Sequence, residues 1–179
     1  MQTHLVLTVM GPDRPGLVSA VSEIIAAGGG NWLDTRMANL SGHFAGMLLV
    51  AIAPEKADAL AAALRKLEAQ GLRFLIEKSD EQASPAGRTL RLELVGLDRP
   101  GIIRDISQVL ASRNVSMVEL ESDRVSGSFS GEAMFKVKAR LTLPDGLKIE
   151  ELCESLEALT HELMVDLLPD ENSSRALRV

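Results

Sequence analysis

Hydrophobic and polar residues alternate at the start of the chain, where Leu5, Leu7 and Val9 share one face, the period-2 pattern of a strand with one buried side. Leu90, Leu92 and Leu94 repeat it. Leu17, Val18, Val21, Ile24 and Ile25 then step as i, i+1, i+4, i+7 and i+8, and Ile102, Ile103, Ile106, Val109 and Leu110 do the same. That spacing predicts an amphipathic helix in each place. An extended segment follows from Asn31 to Leu40, then a Ser-Gly turn and a strand carrying Leu48, Val50 and Ile52, with Phe135, Val137, Ala139 and Leu141 as counterparts. Leu60, Leu64 and Leu67, mirrored by Leu152, Leu156 and Leu159, predict a second helix, and last strands fall near 72–77 and 163–168. The order βαββαβ, read twice, predicts an α+β protein of two ferredoxin-like domains. Each is a four-stranded antiparallel sheet with two helices on one face.

The two halves are copies. Gly11-Pro12-Asp13-Arg14-Pro15-Gly16 matches Gly96-Leu97-Asp98-Arg99-Pro100-Gly101 at an offset of 85, and the offset runs without a gap from Gly11–Gly46 to Gly96–Gly131 with eleven of 36 positions identical. A second spaced match, Ser41-Gly42-x-Phe44-x-Gly46 against Ser126-Gly127-x-Phe129-x-Gly131, shares that offset. Duplication explains both matches where chance does not. The expected organisation is a first domain over 1–79, a polar linker over 80–88, a second domain over 89–169 and a polar tail over 170–179. Pro15 and Pro100 suit a first helical turn. Gly28-Gly29-Gly30 and Asn114 suit helix ends, and Gly42, Gly46, Gly127 and Gly131 suit hairpin and bulge geometry.

Composition narrows the function. Apolar residues make up 46% of the chain but aromatics only 3%, with no Tyr, so the cores are aliphatic. The net charge is −6 and no basic cluster offers the counterion release on which phosphate-backbone binding rests. Direct nucleic-acid binding is not expected. Cys153 is the sole cysteine, which excludes an intrachain disulfide and fits a reducing, cytoplasmic setting. No apolar run approaches the roughly 18 residues of a membrane span, and Gly11-Pro12-Asp13 interrupts the first run too early for a signal peptide. The expectation is a soluble protein without a membrane partner. His4, His43 and His161 have no metal-ligand spacing, and neither a Ser/His/Asp set nor a P-loop is present. Neither an enzyme nor a cofactor is expected. Trp32 reads as packing or an interface anchor, and Cys153 as a small buried hydrophobe.

The Gly-x-Asp-Arg-Pro-Gly turn after the first strand resembles that of ACT domains of the amino-acid-sensing kind. The tandem pair, with Asn31-Trp32-Leu33-Asp34 opening the second strand, most resembles the glycine cleavage system transcriptional repressor family. That resemblance implies regulation by a small amino acid, glycine first, through a partner transcription factor. It leaves no room for a catalytic domain within the chain. The candidate ligand residues are Gly11, Asp13, Arg14, Gly16, Asn31 and Asp34. In the second copy they are Gly96, Asp98, Arg99, Gly101 and Ser116, the last standing where the first copy has Asn31.

Each candidate also has a purely structural reading. Asp13 and Asp98 could cap the helix start, the prolines fix φ, and the glycines allow close approach. Asn31 and Asp34 are expected near the first turn, or else as solvated strand-end residues, and Arg14 and Arg99 as exposed or paired with carboxylates. In the functional reading a ligand carboxylate lies on the helix N–H groups, or the Asp holds an ammonium. The competing functions are an RNA-binding module of the same βαββαβ order, a ferredoxin-like enzyme, and a structural adaptor that senses nothing. A homodimer is expected because the helix-free sheet face of the first copy keeps Val6, Met47 and Leu49, and exposed apolar patches mark interfaces.

Overall fold

Strict alternation builds the centre of each sheet. In the computed structural model, which describes residues 2–79, 87–126, 132–159 and 163–170, Leu5, Leu7 and Val9 are each at most 1% exposed. They lie on β1 (Thr3–Pro12). After β1 come α1 (Leu17–Ala27), β2 (Asn31–Leu40), β3 (His43–Ile52), α2 (Pro54–Arg65), a 3-10 turn over Lys66–Gln70 and β4 (Arg73–Ser79). The second half repeats the order with β5 (Arg88–Leu97), α3 (Ile102–Ser112), β6 (Ser116–Ser126), β7 (Ala133–Leu143), α4 (Ile149–Glu157) and β8 (Met164–Pro169). The chain divides into two compact units, Met1–Ala83 and Ser84–Val179. Residues 80–86 of the expected linker, Gly127, Phe129, Gly131, His161 and the tail beyond Asp170 lie outside the described residues.

Strand order is β2-β3-β1-β4 in the first unit and β6-β7-β5-β8 in the second, with every pairing antiparallel. This is the α+β, twice-βαββαβ architecture. In the first core, Leu17, Val21 and Ile25 of α1 and Ala57, Leu60 and Leu64 of α2 meet Leu5, Leu7, Val9, Leu48, Val50 and Ile52 of the sheet. Ile102, Ile106, Leu110, Leu152 and Leu156 do the same in the second. At about 25 cal/mol per Å² of apolar surface buried, such aliphatic layers are the main favourable term in each unit.

Three local expectations need correction. Pro15 and Pro100 precede their helices, because Gly16 (φ 89°) and Gly101 (φ 85°) stand at the helix starts in left-handed conformation. Val18 is 47% exposed and lies outside the stripe of Leu17, Val21 and Ile25 that enters the core, whereas its counterpart Ile103 packs against the second core. The ungapped offset of 85 does not hold through the third strand of each sheet. Phe44 lies opposite Gly11, whereas Phe135 lies opposite Gly96, so the β6–β7 hairpin is longer and Phe135, not Phe129, takes the place of Phe44. In the first unit β2 and β3 join through Ser41 (φ 51°) and Gly42 (φ 77°), two positive-φ residues that suit a tight hairpin. The helix ends follow expectation: Gly29 (φ 77°) and Asn114 (φ 55°) both take the left-handed conformation.

Candidate functional site

The turn after β1 gathers Gly11, Asp13, Arg14 and Gly16 at one end of the sheet. Gly11 is buried in β1, opposite Phe44. A Cβ there would sit 2.8 Å from the Gly71 carbonyl oxygen and 2.9 Å from Leu72 Cδ2, so this glycine serves close packing against the chain leading into β4. Asp13 is exposed and caps no helix, for α1 has no side-chain cap. Its carboxylate instead accepts a hydrogen bond from Asn39 Nδ2 at 2.5 Å, while its own N–H donates to the Gly42 carbonyl at 2.9 Å. Arg14 donates to Gln70 Oε1 at 3.1 Å. Gly16 is exposed, and nothing lies within 4 Å of where its Cβ would be. The eleven-residue α1 thus starts without a side-chain cap just after Asp13 and Arg14 in the chain, and a turn offering helix N–H groups, a carboxylate and a guanidinium suits a small molecule carrying both charges.

Asn31 and Asp34 are not beside this turn. Asn31 pairs with Ala51, which pairs with His4, so it lies at the far end of the sheet. From Asn31 to Asn39 on β2 is roughly 25 Å at about 3.3 Å per residue. The antiparallel register, not sequence distance from the turn, decides this. Asp34 follows a bulge between Trp32 and Asp34 and pairs with Arg36 at 2.7 Å. Trp32 packs against the first core.

The second unit repeats the backbone with different partners. Gly96 is buried in β5 and Ser116 opens β6 opposite Thr142, again at the far end of its sheet. Asp98 pairs with Arg124 Nε at 2.8 Å. Arg99 pairs with Asp105 at 2.7 Å, and Arg104 reaches the other oxygen of the same carboxylate at 2.9 Å. These hydrogen bonds, Arg99's first and Arg104's second, hold the Asp105 carboxyl below its ordinary value of 3.8. Over Gly101 lies the Arg104 guanidinium, whose Nη2 is 3.1 Å from the glycine's notional Cβ.

Sequence reasoning missed the partners Asn39, Gln70, Arg104, Asp105 and Arg124. The repeat held a signal for most of them. At the offset of 85, Asn39 aligns with Arg124, Ala20 with Asp105 and Ser19 with Arg104, so the differences between the copies cluster around the shared turn.

Residues 3–77 match the ACT-domain family model. That match runs through every helix and strand of the first unit except the end of β4. The second repeats the ACT-like pattern of elements and sheet order. Among solved structures, an unknown protein from Galdieria sulphuraria is similar over 95% of this chain and 99% of its own, at 26% identity and a TM-score of 0.83. A candidate glycine cleavage system transcriptional repressor is similar over 95% and 99%, at 21% identity and a TM-score of 0.69. Chains similar over nearly their whole length to this pair of βαββαβ units are therefore found among solved proteins. No curated protein matches the sequence.

Among the described residues, no group of three or more His, Cys, Asp and Glu could hold a metal ion, and no helix is long and apolar enough to cross a membrane. Cys153 is only half-buried, and its Sγ lies 3.6 Å from Glu157 Oε1, which corrects the expectation of a buried hydrophobe.

Proposed function

We propose that this chain is a non-enzymatic regulatory protein that senses a small amino acid at the first ACT turn and passes the signal to a partner transcription factor. The supporting observation is the uncapped N-terminus of α1, open above Gly16 and reached through a turn that carries Asp13 and Arg14. A zwitterion offers its carboxylate to the helix N–H groups and Arg14, and its ammonium to Asp13. Glycine is the first choice because the motif resemblance and the similar tandem fold of the candidate repressor both lead there. So small a ligand draws affinity from few atoms, and binding falls at roughly micromolar to millimolar Kd.

Asn31 and Asp34 join this reading through a second copy of the chain. When two β2 edges run antiparallel, the far end of one meets the turn end of the other, and the two halves of the predicted set face one ligand. Homodimerisation is thus part of the proposed mechanism, since a ligand regulates only if it binds one state better than another. With a net charge of −6, the partner rather than this chain contacts DNA, and one cysteine suits a reducing cytoplasm. An RNA-binding role is disfavoured, for Trp32, Phe44, Phe74 and Phe135 all pack against the cores instead of forming a stacking platform.

The test is calorimetric titration of the full chain with the twenty amino acids, followed by Asp13→Ala. Saturable binding of a small amino acid, weakened tenfold or more by Asp13→Ala, is the expected result. No binding at millimolar concentration, or an unchanged Asp13→Ala affinity, removes the reading.

A further inference from the structure

The two turns share a backbone and differ in what neutralises their charges. In the first unit both charges rest on neutral amides: Asn39 donates to Asp13 and Gln70 accepts from Arg14. In the second both rest on opposite charges, with Arg124 on Asp98 and Asp105 on Arg99. The Asp98 side chain is 27% exposed and that of Asp105 only 19%, so these ions are partly withdrawn from water. Amide contacts hold a charged group in place without cancelling its charge, whereas an ion pair cancels it.

The space above each helix start differs in the same sense. Gly16 has open space where a side chain would project, and at Gly101 the Arg104 guanidinium fills that direction. Arg104 is anchored there by Asp105. Its counterpart Ser19 turns along the helix and donates to Glu23 Oε1 at 2.9 Å. Ala20, where the second unit has Asp105, brings no carboxylate to Arg14.

We infer that the first unit alone receives the amino acid, because the second unit supplies from its own chain the carboxylate and the cation that the ligand would bring. Asp105 stands in for a ligand carboxylate on Arg99, and Arg124 for a ligand ammonium on Asp98. The first unit lacks one anion, Asp105, and two cations, Arg104 and Arg124. Of these, Asp105 and Arg124 are the two that meet the turn's own Arg99 and Asp98, and an anion and a cation in those two places describe a zwitterion. Arg104, Asp105 and Arg124 are the residues that close the second turn, and Ser19, Ala20 and Asn39 leave the first one open. This rests on the amino-acid-sensing reading and assigns its stoichiometry and its ligand's charge type.

The experiment is calorimetry on the full chain with glycine and with the tightest binder of the amino-acid panel. The expected stoichiometry is one site per chain. Asp13→Asn should weaken binding at least tenfold, and Asp98→Asn should leave it within about twofold. Methylamine and acetate, each carrying half of the zwitterion, should bind at least tenfold more weakly than glycine. Two equivalent sites per chain, or loss on Asp98→Asn with retention on Asp13→Asn, overturns the inference while amino-acid sensing stands. Absence of any binding to the wild type removes both. The double variant Ser19→Arg/Ala20→Asp copies the closure onto the first helix and should abolish binding with an unchanged circular dichroism spectrum; wild-type affinity in that folded variant overturns the inference. Should that variant fail to fold, amide shifts of the wild type decide. Ligand-induced changes at Asp13, Arg14 and Asn39 support it, and changes of equal size at Asp98, Arg99 and Arg124 overturn it.

Discussion

Gly11 and Leu72 approach so closely that no side chain fits between them: a Cβ on Gly11 would lie 2.9 Å from Leu72 Cδ2 and 2.8 Å from the neighbouring Gly71 carbonyl oxygen. The leucine methyl can rotate, but the carbonyl belongs to the backbone that leads into β4. Overpacking of this kind costs about 1–3 kcal/mol. Gly11→Ala should therefore lower the unfolding free energy by that much, read as a drop in denaturant midpoint at unchanged slope. Equal stability of Gly11→Ala and wild type would show that β4 can shift away at no cost.

Asp105 links stability to pH. Hydrogen bonds from Arg99 and then Arg104 depress its folded carboxyl below 3.8. A depressed carboxyl contributes stability above its unfolded value, and that contribution disappears as pH falls through the folded value. Asp105→Asn should thus unfold more easily than wild type at neutral pH, with the gap closing as the medium is acidified below 3.8. Urea titrations at several pH values check this. A gap of constant size across the range would assign the loss to packing, not to charge.

Cys153 should be a sluggish nucleophile. Burial first, and the Glu157 carboxylate next, push its thiol above the ordinary value of 9.0, so little thiolate exists near neutrality. Removing the carboxylate charge in Glu157→Gln should lower the thiol toward its ordinary value and speed alkylation by iodoacetamide severalfold. An unchanged rate would mean that burial alone sets the reactivity.

The periodic parts of the fold were legible in the sequence because one buried face imposes one period. Leu5, Leu7 and Val9 had to share a side, and Leu60, Leu64 and Leu67 had to share a stripe. All six are at most 5% exposed. The Ser-Gly-x-Phe-x-Gly repeat misled because hairpin length is unconstrained by burial: residues can be inserted at a loop without disturbing the pairing of Gly96 with Phe135. Asn31 misled for a different reason. Its place in the motif says nothing of register, and an antiparallel sheet sets the start of β2 against the start of β1, far from the turn. The turn itself was legible, but its charge partners were not, for Asn39 and Gln70 reach it from distant parts of the chain.

Gly16 separates backbone demand from ligand demand. Its φ of 89° lies in the left-handed region, and nothing stands within 4 Å of its notional Cβ. An added methyl meets no atom of the protein, so the cost of Gly16→Ala in the unliganded chain is the backbone term alone, about 1–2 kcal/mol. The same methyl would project into the open space above α1, where the proposed ligand carboxylate meets the helix N–H groups. Gly16→Ala should accordingly keep a cooperative unfolding transition, shifted by that modest amount, and lose amino-acid binding by tenfold or more at a temperature where the chain remains folded. Gly101→Ala should carry a similar stability cost, since φ is 85° there too and only the movable Arg104 guanidinium stands in the way. It should leave binding unchanged, because that turn is already closed by its own side chains. Denaturant melts paired with titrations on both variants check this, and binding lost in both or in neither would show that the two turns are not distinguished by what lies above their glycines.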